Sequence, residues 1–107
     1  KNMESVKAEV LLELANGPVS HEAFEYFKGT RTLVAPDIVA NAGGVIVSYF
    51  EWLQNTKDEK WTEERVNNDL EEQMNTAIDA MWDYAKQDGL TLKESAYDLA
   101  LKRLIEA

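Results

Sequence analysis

Apolar positions follow two different periods along the 107 residues. In the first half they come as short runs, Ala8-Glu9-Val10-Leu11-Leu12-Glu13-Leu14 and Thr32-Leu33-Val34-Ala35, bounded by turn signals as buried strands are. Between them, Ser20 to Lys28 reads as one short helix. Ser20 is placed to cap it, Glu22 suits the positive end of its dipole, Lys28 suits the last turn, and Gly29 can take a left-handed cap. Strand, helix, strand reads as a βαβ unit, which has a right-handed crossover and parallel strands, so both carboxyl ends lie along one edge. Two Asn-containing turns follow at that edge, Ala15-Asn16-Gly17-Pro18 and Pro36-Asp37-Ile38-Val39-Ala40-Asn41-Ala42-Gly43-Gly44.

The second half reads as three helices. Gly44 to about Asn55 carries Val45, Ile46, Val47, Tyr49, Phe50, Trp52 and Leu53, which predicts burial on several sides. From Thr62 to about Gln87, Val66, Leu70, Met74, Ala77 or Ile78, Met81 and Ala85 recur at helical spacing, with Trp61 and Val66 placed as a hydrophobic staple. Gly89 can end this helix. Thr91-Leu92-Lys93-Glu94 is a capping box for a last helix with Ala96, Leu99, Ala100, Leu104 and Ile105 inward. Residues 1–57 and 58–107 are the expected units: part of a sheet-bearing domain, then a helical segment packed on it.

Composition narrows the function classes. Eleven basic against twenty acidic residues give a net charge of −9, which repels phosphate backbones and anionic membrane surfaces. Nucleic acid is therefore not an expected partner. The acidity is uneven: residues 1–50 hold four basic and six acidic residues (net −2), and 51–107 hold seven and fourteen (net −7). Cys is absent, which excludes a disulfide framework, a thiolate metal cage and a Cys nucleophile, and suits a reducing, cytoplasmic compartment. The single His21 cannot build a multi-His metal site. No run approaches the ~20 apolar residues of a membrane span. Lys1-Asn2 ahead of Met3 is not how an open reading frame begins, so sequence is expected upstream.

The candidate chemistry gathers in the two turns. Asn41-Ala42-Gly43-Gly44 at a helix start would let a ligand approach backbone N–H groups, although the plainer reading has Asn41 as an N-cap and the glycines as a packing device. Asn16-Gly17-Pro18 could be only a turn, but parallel strands would place the second polar loop beside it. Val45 and Ser48 share one helical face, where the Ser48 hydroxyl could meet a substrate or bond back to its own helix. The acids between Asp58 and Glu72 lack the spacing of a calcium loop and read as a solvated face. Trp52, Trp61 and Trp82 read as core or interface anchors.

Together, Glu13-Leu14-Ala15-Asn16-Gly17-Pro18, Val34-Ala35-Pro36-Asp37-Ile38-Val39-Ala40-Asn41-Ala42-Gly43-Gly44-Val45 and Val47-Ser48-Tyr49-Phe50-Glu51-Trp52-Leu53-Gln54-Asn55 resemble the glutamate dehydrogenase branch of the Glu/Leu/Phe/Val dehydrogenases. The resemblance extends through Trp61-Thr62-Glu63-Glu64 and Ala96-Tyr97, and covers the C-terminal part of the family's sequence. It implies an α/β fold: a partial Rossmann-like nucleotide-binding domain with a short parallel sheet and C-terminal helices. It also implies an oligomeric parent enzyme that uses NAD or NADP to deaminate L-glutamate oxidatively to 2-oxoglutarate and ammonia. Asn16 and Asn41 match family positions around the cofactor's nicotinamide and ribose. Val45 and Ser48 match positions lining the substrate pocket, where the serine meets the γ-carboxylate.

The family's catalytic Lys motif, partner Asp and G-x-G-x-x-G phosphate turn are not found among these 107 residues. The chain by itself is therefore expected to be inactive, to bind nicotinamide nucleotides weakly, and to self-associate through uncovered sheet edges. The alternative is a stand-alone interaction or structural domain derived from the dehydrogenase tail, without catalysis.

Overall fold

A computed structural model describes residues 2–107. After a 3-10 turn at Met3–Ser5 come β1 (Val10–Leu12), α1 (His21–Lys28), β2 (Leu33–Ala35), α2 (Asp37–Ala40), α3 (Gly43–Lys57), α4 (Glu63–Asp88) and α5 (Leu92–Glu106). β1 and β2 pair in parallel, Val10, Leu11 and Leu12 opposite Leu33, Val34 and Ala35, so the βαβ unit forms as its pattern predicts. The architecture is mixed helix and sheet, with two strands and three long or medium helices following the crossover.

Local chemistry sets the boundaries. Ser20, Thr62 and Thr91 each accept the amide three residues on, satisfying a donor the first helical turn cannot. The capping box of α5 is complete, with Glu94 returning a bond to the Thr91 amide. Gly89 ends α4 in the left-handed conformation, at φ 65°. Gly29 does not: its φ is −88°, and the α1 terminus is closed instead by its amide bonding back to Tyr26.

Two apolar clusters hold the elements together. Phe24, Phe27 and Val34 lock α1 onto β2, with Leu11 and Val19 against them. Met81, Ala85, Leu92 and Ala96 lock α4 to α5, with Val39 of α2 and Leu99 packed on. Inside the second cluster, buried Ser95 donates to the Met81 carbonyl at 2.6 Å, so its hydroxyl costs nothing unsatisfied. Ala77 faces this side of α4 and Ile78 is the more exposed of the two.

Several expectations fail on burial. The strands are not buried throughout, because Val10 and Leu12 face solvent on either side of half-buried Leu11. Helix α3 buries Phe50 alone, against Trp61 at 5.5 Å between ring centroids, while Val45, Val47, Tyr49 and Trp52 stay exposed. Leu104 and Ile105, near the C-terminal end of α5, are exposed as well. The turn after β2 contains the single helical turn α2, so α3 begins at Gly43 with Ala42, not Asn41, at its cap position. Among the described residues, no helix is long and apolar enough to cross a membrane.

Candidate functional site

The polar cluster at the carboxyl edge of the sheet starts from Glu13. Its amide donates to the Ala35 carbonyl at 3.0 Å, continuing the β1–β2 ladder by one residue. The side chain then turns inward and is fully buried. A buried carboxylate needs both a counter-charge and hydrogen bonds. Glu13 has them: the Asp37 amide donates to Oε2 at 3.0 Å, and Lys93 Nζ lies 3.3 Å from Oε1 and 3.2 Å from Oε2. Lys93 reaches in from the first turn of α5, passing 5.3 Å from the centre of the Phe24 ring, within cation–π range.

Asp37 is the first residue of α2, and its carboxylate faces the other turn. Oδ2 accepts the Gly17 amide at 2.7 Å and Oδ1 its neighbour's amide, that of Ile38, at 2.8 Å. The Gly17 N–H, more than any other group, holds the Asp37 carboxyl below the ordinary carboxylate range; Ile38 and the Lys93 charge add to this, and burial opposes it. Gly17 has φ +59°, so the turn uses a conformation that side chains disfavour. At the far end of α2, Asn41 takes the C-cap position and its amide nitrogen donates to Asn16 Oδ1 at 2.7 Å. The four-residue helix thus grips the Asn16-Gly17 turn from both ends.

Of the four residues singled out from the sequence, Asn16 and Asn41 are brought into direct contact. The parallel strands are the reason, since each asparagine follows its own strand at the shared edge. Their mutual bond uses only one position on each amide, and an amide offers further donors and acceptors to a ligand. Val45 and Ser48 lie one helical turn apart on the exposed face of α3, where the Ser48 hydroxyl donates to the Gly44 carbonyl at 3.0 Å. Glu13 and Lys93 escaped the sequence reasoning. Glu13 was hidden in an apolar run and Lys93 inside the capping box, although an acid at the carboxyl end of a strand next to an Asn-Gly turn was a usable signal.

Elsewhere, a cleft of about 470 Å³ lies between α1, β2 and the α4–α5 turn, lined by Phe27, Lys28, Trp82 and Lys86 among others, and includes none of those four residues. Among the described residues no group of His, Cys, Asp and Glu could hold a metal ion.

The sequence model of the Glutamate/Leucine/Phenylalanine/Valine dehydrogenase family matches residues 1–107. The NADP-specific glutamate dehydrogenase A1 of Halobacterium salinarum is 46% identical over 103 residues, 95% of this chain and 25% of that protein. The NAD-specific glutamate dehydrogenase of Clostridioides difficile is 42% identical over 104 residues, 97% of this chain and 25% of its own length. In structure, the chain is similar to the hetero-hexameric glutamate dehydrogenase from Thermus thermophilus in its Leu-bound form, with a TM-score of 0.92 and 36% identity, covering 97% of this chain and 25% of that one. The chain therefore spans about a quarter of the length of the relatives it matches.

Proposed function

Because the chain belongs to the Glutamate/Leucine/Phenylalanine/Valine dehydrogenase family, we propose that it forms one quarter of an NAD(P)-dependent glutamate dehydrogenase, which converts L-glutamate to 2-oxoglutarate and ammonia. In this proposal residues 1–57 complete a Rossmann-like nucleotide-binding domain and residues 58–107 are the helices that pack on it. The supporting observation is the Asn16–Asn41 bond at the carboxyl edge of two parallel strands, the place where ligands approach open α/β sheets.

The residues present suit one end of a nicotinamide nucleotide better than the other. Two neutral amides complement the nicotinamide carboxamide and ribose hydroxyls. The Asp37 carboxylate beside them would disfavour a pyrophosphate. The nucleotide, when bound, would supply the hydride acceptor; Asn16 and Asn41 would orient it, and Val45 and Ser48 would line the substrate's side-chain pocket. The proton transfers at the α-carbon fall to groups outside these 107 residues, so the chain alone is expected to be inactive.

The test is nucleotide reduction by the complete enzyme with L-glutamate, wild type against Asn41→Ala. Glutamate-dependent reduction by the wild type, with KM for the nucleotide raised about tenfold in Asn41→Ala, is the expected result. A complete enzyme that reduces neither NAD nor NADP with glutamate overturns the proposal.

A further inference from the structure

We propose that Lys93 is a positioning residue: through Glu13 it holds the two loops that carry Asn16 and Asn41, so that helix α5 governs the geometry of the nicotinamide end of the site. The functional half of this statement rests on the preceding proposal; the structural half stands on the bonds alone.

Three elements meet at one buried carboxylate. Glu13 comes from the end of β1, the Asp37 amide from the start of α2, and Lys93 from the start of α5. Lys93 is itself mostly covered, its side chain 19% exposed against 0% for Glu13. Its nitrogen sits almost equally far from both carboxylate oxygens, so its charge holds the carboxylate inward at this position. Held there, Oε2 accepts the Asp37 amide, and Asp37 in turn holds Gly17 while Asn41, four residues on, holds Asn16. Without the ammonium, the Glu13 carboxylate must find other solvation. Turning toward water would release the Asp37 amide and loosen both ends of α2 together.

A neighbouring ion pair supplies the control. Lys28 of α1 bonds Glu94 at 2.8 Å and anchors the same end of α5, but neither residue bonds the Asn16 turn or α2. If α5 needed only to be docked, the two pairs would be interchangeable. If Lys93 positions the asparagines, only its loss reaches them.

The experiment compares Lys93→Met, Lys93→Arg and Lys28→Met in the complete enzyme, with two readouts. Steady-state kinetics give KM for the nicotinamide nucleotide separately from kcat, and hydrogen exchange followed by mass spectrometry reports on the peptides containing residues 13–18 and 36–42. Lys93→Met is expected to raise KM about tenfold with a smaller change in kcat, and to speed exchange in both peptides while α4 is unaffected. Lys93→Arg, whose planar fork can meet both oxygens of Glu13, restores most of each value. Lys28→Met changes neither. Should Lys93→Met fail to fold, Lys93→Gln, which keeps a donor without the charge, is read in the same way. Unchanged KM and exchange on losing the Lys93 charge, or equal effects from Lys28→Met, overturn the proposal. A wild-type enzyme without glutamate oxidation would refute the preceding proposal instead, and exchange would still decide this one.

Discussion

At the scale of single residues, the cluster makes each side chain answerable to a measurement. Glu13→Ala removes the counter-charge of Lys93 and the acceptor of the Asp37 amide together, and should cost about 3 kcal/mol, read from urea denaturation. Gly17→Ala tests the backbone alone. No heavy atom lies within 4 Å of where its Cβ would stand, so the expected loss of about 1 kcal/mol is the left-handed conformation itself, and Gly17→Asn should lose less. Ser48→Val in the complete enzyme should lower the ratio of kcat/KM for glutamate to that for norvaline, by about 1.5–3 kcal/mol in transition-state binding. An unchanged ratio would leave the Gly44 carbonyl as the hydroxyl's whole purpose. The nearness of the Asn16 and Asn41 turns was legible in the sequence because a helical crossover joins parallel strands, whose carboxyl ends share an edge; their direct bond was not. Nor was the Lys93–Glu13 pair, because it joins residues 80 positions apart and neither belongs to a motif that names its partner.

Among the elements, helix ends were the most legible part of the chain and helix faces the least. Caps act within four residues, so Ser20, Thr62, Thr91 and Gly89 announce themselves locally. α2 went unseen since one turn carries no periodicity, and with it the true start of α3. The α5 capping box also predicts an acid response. The Lys28 ammonium, followed by the Thr91 amide and hydroxyl, pulls Glu94 down from the usual 4.5 to about 2. A depressed carboxyl stabilises the fold above its unfolded value, and that contribution fades as pH falls from about 4.5 toward 2. Comparing urea midpoints of wild type and Glu94→Gln should therefore show a difference at pH 6 that closes near pH 2. With the side chain 38% exposed, solvent screening holds the gap at pH 6 to about 1 kcal/mol or less.

For the whole molecule, shape and surface pull in the same direction. The radius of gyration is 16.4 Å, with extents of 51 × 30 × 19 Å, where a compact body of this length would give about 13 Å. The 26 residues of α4 span about 39 Å and set the long axis. Such a form covers its own apolar groups poorly: Leu14 is 65% exposed, Val45 69% and Ile105 83%. Which apolar residues stay uncovered was not legible in the pattern, because an apolar residue is equally suited to a neighbour within these 107 residues and to a surface beyond them. The chain on its own should self-associate at tens of micromolar, an order typical of weak dimers. Its net charge of −9 opposes contact between copies, so association should strengthen as salt rises. Sedimentation showing only the 12.1 kDa monomer at every ionic strength would contradict this.

The bond from Gly17 to Asp37 also bears on how the protein ages. An Asn followed by Gly loses its side-chain ammonia when the glycine's backbone nitrogen attacks the asparagine's side-chain carbonyl carbon and closes a succinimide ring. Here that nitrogen donates to Asp37 and the side-chain oxygen of Asn16 accepts from Asn41, so a large rotation of either group gives up a bond to α2 or its cap. That restraint on rotation is expected to slow the turn's own covalent chemistry. Asp37→Ala should accumulate isoaspartate at position 16 faster than wild type on storage, a change that peptide mass spectrometry resolves. The first molecules to spoil would be those in which α2 had already let go.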